Sequence, residues 1–113
     1  MINNNIMNNH IIVIVVLAAL AVGLYLYTQS VKDRAIFFFH PSCGHCTAFK
    51  PAWEEIKRQV SLPTKEINCE DHPDKCTAYG IEGYPTIIVE RGGNREEFNG
   101  KRNVENVVAF IES

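Results

Sequence analysis

Two cysteines three positions apart, Cys43 and Cys46, enclose Gly44 and His45 in the stretch His40-Pro41-Ser42-Cys43-Gly44-His45-Cys46. Thiols at that spacing at the start of a helix lie within reach of one another or of a shared metal ion. A thiol at a helix N-terminus also faces unpaired backbone N–H groups and the positive end of the helix dipole, both of which favour thiolate over thiol. Cys43 is therefore the expected nucleophile. Cys46, one turn later, is placed to attack a mixed disulfide on Cys43 and release the substrate. Gly44 is expected to let the turn tighten, and a charged His45 would stabilise the Cys43 thiolate further, making the disulfide a stronger oxidant.

The same box is half of a zinc site, and Cys69, Cys76, His40 and His72 could complete one. Spacing alone leaves zinc and redox chemistry both open. Against zinc, Cys69 and Cys76 do not repeat the two-residue gap of a zinc ribbon. A purely structural Cys43–Cys46 bridge is disfavoured, because that spacing closes a strained, exposed and reducible ring.

The elements around the box must present it. Ala35-Ile36-Phe37-Phe38-Phe39 is a continuous apolar run, as a strand buried on both faces would read. Phe49, Trp53, Ile56 and Val60 then recur at spacings of three and four, predicting a helix from about Cys43 to Gln59 with Pro51 kinking it after two turns. Thr64 to Asn68 reads as a short strand, and Asp71 to Tyr79 as a short helix with Pro73 in its first turn and Gly80 as its stop. Thr86 to Glu90 is a β-branched strand; a Gly-Gly turn over Arg91 to Asn94 returns it as a partner strand over Glu96 to Asn99. Asn103 caps a last helix carrying Val104, Val107, Val108 and Ile111 on one face. The order β-α-β-α-β-β-α implies a four-stranded mixed sheet with helices over its faces, and chemistry at the C-terminal end of the first strand. The Cys-Gly-His-Cys box lies there.

Before this domain, residues 1–10 are polar and Asn-rich and read as a disordered leader. Ile11 to Tyr27 holds no charge and no Pro. At 1.5 Å per residue it would span roughly 26 Å, just under the ~30 Å hydrocarbon core, so a transmembrane signal anchor over 11–27 is expected, with Tyr25 and Tyr27 at the interface. The rivals are a cleaved signal peptide, with Ala21-Val22-Gly23 as a small-residue site, and a buried core helix. Residues 28–34 read as a linker and 35–113 as the domain. Lys32 and Arg34 follow the run and no Lys or Arg precedes it, which votes weakly for a cytosolic domain.

At 113 residues there is room for one small core. A net charge of -2, with basic residues scattered among acidic ones, gives no reason to expect nucleic acid. The 4 cysteines, in a close and a wide pair, fit an oxidising compartment or redox work.

Phe39-His40-Pro41-Ser42-Cys43-Gly44-His45-Cys46, Pro51, Tyr79-Gly80-Ile81-Glu82-Gly83-Tyr84-Pro85-Thr86 and Asn99-Gly100-Lys101-Arg102 together resemble a protein disulfide isomerase catalytic domain of the thioredoxin fold. The resemblance covers Ala35 to Ser113. It implies that Pro85 is a cis-proline beside the cysteines, blocking a metal, and that Tyr84-Pro85 offers its backbone to an extended substrate strand. It also implies that Arg102 can approach Cys46 and lower its pKa, and that Cys69 and Cys76 form a structural disulfide.

The departures are informative. Ser42 stands where the family usually has Trp, giving a smaller, more polar rim that substrate would meet. The family's buried carboxylate, six positions before the first cysteine, falls on Phe37; its partner lysine falls on Glu66, which is then a candidate to exchange the Cys46 proton. The leading strand and helix of a full-length thioredoxin fold are missing. The expectation is a minimal, membrane-anchored thioredoxin fold that oxidises or isomerises disulfides in cysteine-containing client proteins. It would work as a monomer without metal or organic cofactor, re-oxidised by an upstream thiol oxidase if net oxidation is its task. A thioredoxin-like module that binds cysteine-bearing partners without turnover is the alternative. For compartment, disulfide chemistry favours an oxidising lumen such as the endoplasmic reticulum, whereas the flanking charges favour the cytosol. A virus that assembles in the cytoplasm with its own thiol-oxidation machinery would reconcile the two.

Overall fold

The computed structural model describes residues 2–30 and 33–113. Lys32, on which half of the orientation argument rests, lies outside them, as do Val31 and hence part of the expected 28–34 linker. The chain divides into two units, Met1–Lys32 and Asp33–Ser113.

In the first unit, helix α1 runs over Ile2–Ser30. The stretch Asn4–Thr28 within it has a mean hydropathy of 2.6 and is long and apolar enough to cross a membrane. Leu17, Leu20, Leu24 and Tyr25 are each at least 60% exposed, so the core-helix reading fails. The leader expected to be disordered is instead the first turns of α1. Once the apolar run has nucleated a helix, adding a residue costs little, and Asn propagates a helix only modestly less well than Ala.

The second unit holds a four-stranded sheet in the order β2-β1-β3-β4. Strand β1 (Arg34–Phe39) pairs parallel with β2 (Thr64–Asn68) and antiparallel with β3 (Thr86–Arg91), which turns into β4 (Asn94–Glu97). The parallel pair is joined through α2 (Gly44–Gln59), and α3 (Pro73–Ala78) and α4 (Val104–Glu112) complete the fold. This is a thioredoxin fold.

Side-chain alternation along β1 builds two cores. Ala35 and Phe37 join Ile87 and Val89 of β3 beneath Phe49, Trp53 and Ile56 of α2 and Val107 and Ile111 of α4. Ile36 and Phe38 join Ile67, Ile88, Cys69 and Cys76 on the α3 side. The helical periods read from the sequence thus face the sheet, with Val104 and Val108 partly buried at the edge of the first core.

The expected partner strand over Glu96 to Asn99 forms earlier, at Asn94–Glu97. Gly92 and Gly93 take φ of 56° and 82°, so two residues close the hairpin and Arg91 pairs directly with Asn94. Asn103 caps α4, its side chain accepting from Asn106 N at 2.8 Å. Helix α3 is shorter than expected, beginning at Pro73, after a turn in which His72 N donates to Asn68 O.

Candidate active site

Strand β1 ends at Phe39, and the next residues fold into a turn in which Cys43 N donates to His40 O at 3.0 Å. That turn delivers Cys43 to the N-cap of α2. Its Sγ accepts from Cys46 N at 3.4 Å, taking over the capping duty of a Ser or Asp side chain, and its carbonyl accepts from Thr47 N at 3.2 Å. Cys46 sits one turn in, facing the core at 1% exposure, whereas Cys43 is only partly covered; both are free thiols.

These two environments push the thiols in opposite directions. Cys43 is held below the ordinary thiol range, first by its hydrogen bond with the Cys46 side chain, then by the backbone N–H groups of Cys46 and His45, and least by the charge of Arg102. Burial pushes Cys46 up, because its thiolate would be taken out of water; the His40 backbone and the Arg102 charge oppose this only in part. Cys43 is therefore the more readily ionised and the more accessible of the two thiols.

Across from Cys43 lies the loop Gly80 to Pro85. The Tyr84–Pro85 peptide bond is cis, and the Tyr84 carbonyl oxygen lies 3.7 Å from Cys43 Sγ. Thr86 anchors the loop, its Oγ1 donating to Gly83 O at 2.7 Å. A cavity of about 280 Å³ follows this loop, with Tyr84, Pro85, Glu97 and Arg102 in its walls. Arg102 also borders a neighbouring hollow with His45, so the guanidinium side chain lies between the cysteine box and the proline loop.

Gly44 differs from expectation. A Cβ added there would meet nothing within 4 Å, and its φ is outside the left-handed region, so the turn does not require glycine. What the bare position does is leave the approach to Cys43 open. Ser42 is exposed, but its rim is tied down: its N–H donates to His40 Nδ1 at 3.2 Å and its Oγ lies 2.7 Å from the same nitrogen. The His40 ring in turn packs 5.6 Å from that of Tyr84. His40, considered from sequence only as a metal ligand, thus bridges the cysteine turn and the proline loop. The signal was local, a His two residues before a Ser at a Pro turn, but the Tyr84 contact is made across 44 residues and no local pattern announces it.

Glu66 is on β2 beside Phe37 in the strand register, and its carboxylate is 3.6 Å from Lys57 Nζ on α2. Phe37 itself is fully buried, with its ring against Phe39, Phe49 and Trp53. Trp53 Nε1 is buried with no hydrogen-bond partner. Cys69 and Cys76 are joined in a disulfide in the second core. Among the described residues, no three of His, Cys, Asp and Glu gather as metal ligands.

The family model for thioredoxin matches residues 26–113. The chain belongs to the thioredoxin family. Among its thioredoxin-fold relatives, the protein disulfide-isomerase of Aspergillus niger is 35% identical over 78 residues, covering 66% of this chain and 15% of that protein. Probable protein disulfide-isomerase A6 of Medicago sativa is 33% identical over 86 residues, covering 71% of this chain and 24% of that one. The crystal structure of the J-Trx1 fragment of ERdj5 superposes with a TM-score of 0.68 at 32% identity, over 72% of this chain and 40% of the other. The thioredoxin domain is thus similar to domains of these protein disulfide isomerases, and the chain spans only 15% to 24% of the length of these two curated relatives.

Proposed function

We propose that this thioredoxin domain is a thiol–disulfide oxidoreductase that oxidises cysteines to disulfides, or isomerises the disulfides, in cysteine-containing client proteins. The observation that carries this is the pairing of a partly exposed Cys43 at the α2 N-cap with a buried free Cys46 one turn behind it, opposite the Tyr84–Pro85 backbone. Cys43 forms the mixed disulfide and Cys46 resolves it. Arg102 supplies positive charge to both thiolates and His45 its backbone N–H to that of Cys43, Gly44 and Ser42 leave the rim open, and Tyr84 and Pro85 present backbone to an extended client segment. The Cys69–Cys76 bridge is structural and takes no part in turnover. Electrons are exchanged through the Cys43–Cys46 pair, so no metal or organic cofactor is needed; an upstream thiol oxidase would withdraw two electrons and restore the disulfide when net oxidation is the task.

Helix α1 is read as a single-pass anchor rather than a cleaved signal sequence. Its support is a hydropathic stretch of 25 residues that exceeds the run needed to cross a bilayer.

The test is reduction of insulin disulfides and refolding of a scrambled substrate by the full chain in detergent. The parent is expected to be active, Cys43→Ser inactive, and Cys46→Ser to accumulate client cross-linked through Cys43 on non-reducing gels. Client binding of equal strength in the parent and Cys43→Ser, with turnover in neither, would replace this reading with that of a binding module.

A further inference from the structure

Resolution of the mixed disulfide requires Cys46 to become a thiolate, yet this sulfur is 1% exposed. The first core offers it no titratable neighbour at Phe37, and Glu66 beside Phe37 is engaged by Lys57. Cys46 instead lines a cavity of about 280 Å³ on the other side, together with Phe39, His40 and Lys50. Lys50 follows Cys46 by four residues on α2, which puts the two side chains on one helix face with Cβ atoms about 5–6 Å apart. Its Nζ lies 4.6 Å from the centroid of the Phe39 ring, which forms part of the same cavity wall. The other chargeable side chain there, His40, has its Nδ1 occupied by Ser42.

We propose that Lys50 is the positioning charge for Cys46: from the wall of this cavity its ammonium stabilises the Cys46 thiolate during the resolving step, while the thiol proton leaves through the cavity. The inference rests on the oxidoreductase reading above. In the step itself, Cys46 loses its proton to solvent and its sulfur attacks Cys43 Sγ. The Cys43–client S–S bond breaks as the Cys43–Cys46 bond forms, and the client departs as a thiolate that takes up a proton. Two electrons pass from the cysteine pair to the client disulfide, and the proton count is unchanged. Of the chargeable groups around Cys46, Cys43 at the N-cap and Arg102 ahead of α4 act on it electrostatically, and His40 in the turn and Lys50 on α2 share its cavity wall. Lys50 is the cation among them that lines the same cavity.

The two cysteines can be watched separately by mixing the reduced full chain, in detergent, with a small aromatic disulfide. Attack by Cys43 releases one coloured thiolate, and resolution by Cys46 releases a second. Lys50→Gln is expected to leave the first phase unchanged and to slow the second about three- to tenfold at pH 7, with its pH midpoint moved upward, as loss of a nearby cation at a partly solvated site requires. Lys50→Arg should restore the second phase. An unchanged second phase in Lys50→Gln overturns the proposal, and so does Lys50→Arg as slow as Gln or equal slowing of both phases. Absence of the first phase in the parent would instead sink the oxidoreductase reading.

Discussion

Cys43 and Cys46 are the same residue type three positions apart, and their different work comes from what each touches. Cys43 accepts from N–H groups at a helix start, so its thiolate is favoured; Cys46 is surrounded by core and its thiolate is penalised. Arg102 bears on both, lowering each thiol. Because the Cys43 pKa is depressed, its alkylation rate should hold as pH falls below that of a free cysteine and drop only at lower pH. Arg102→Gln is expected to shift that drop upward, cutting the Cys43 alkylation rate a few-fold near pH 7 and leaving it unchanged well above the thiol pKa. High salt should erase the difference, since the guanidinium is exposed. Iodoacetamide kinetics across pH at two ionic strengths measures this; equal profiles for Arg102→Gln and the parent would remove Arg102 from the site. The placing of Cys43 at a helix start was legible in the sequence, and a helix start imposes its field on whatever residue caps it. The His40–Ser42–Tyr84 rim was not, since it depends on where a distant loop is laid.

Strand β1 and helix α2 are the elements on which the site depends. An apolar run without alternation told that β1 is covered on both faces, and its parity then sorted Ala35 and Phe37 from Ile36 and Phe38 between two cores. The 3.6-residue period of α2 was equally plain. Less legible was the start of β4, because a Gly-Gly pair accepts turns of several lengths, and only the register with β3 selected the two-residue one. Helix α1 shows the opposite failure: composition marked where apolar residues begin, but a helix has no reason to stop at that boundary when no cap or Pro interrupts it. As an element, α1 carries its own prediction. The full chain bearing tags at both ends should remain with membranes after alkaline extraction, with both tags on one polypeptide. Release of a tagged domain starting near Ala21 to Gly23 would make α1 a cleaved signal sequence.

The second unit, 33–113, folds about one thin sheet with a core on each face, and the core on the α3 side is the smaller, built from four apolar side chains and the Cys69–Cys76 pair. A domain of this size has little stability to spare. The disulfide closes a loop with a sequence separation of 7, for which chain entropy predicts a contribution of about 2–3 kcal/mol. Replacing both cysteines by Ala should therefore lower the Tm of the reducing-agent-free protein by about 10–20 °C. Calorimetry or circular dichroism would check it, and an unchanged Tm would mean that α3 holds without the bridge. The Cys43–Cys46 chemistry should survive wherever the variant remains folded, because the two pairs occupy different sides of the sheet. By itself the sequence determined what depends on neighbours along the chain: the helix and strand periods, the apolar α1, the cap at Asn103, and a thiol at a helix start. Only the tertiary structure decided what depends on approach in space. It set the Tyr84 carbonyl against Cys43, Glu66 against Lys57, and Asn68 of β2 in one cavity wall with Cys46 and Lys50 of α2, because side chains on different elements meet only after the sheet register and helix packing have fixed their positions.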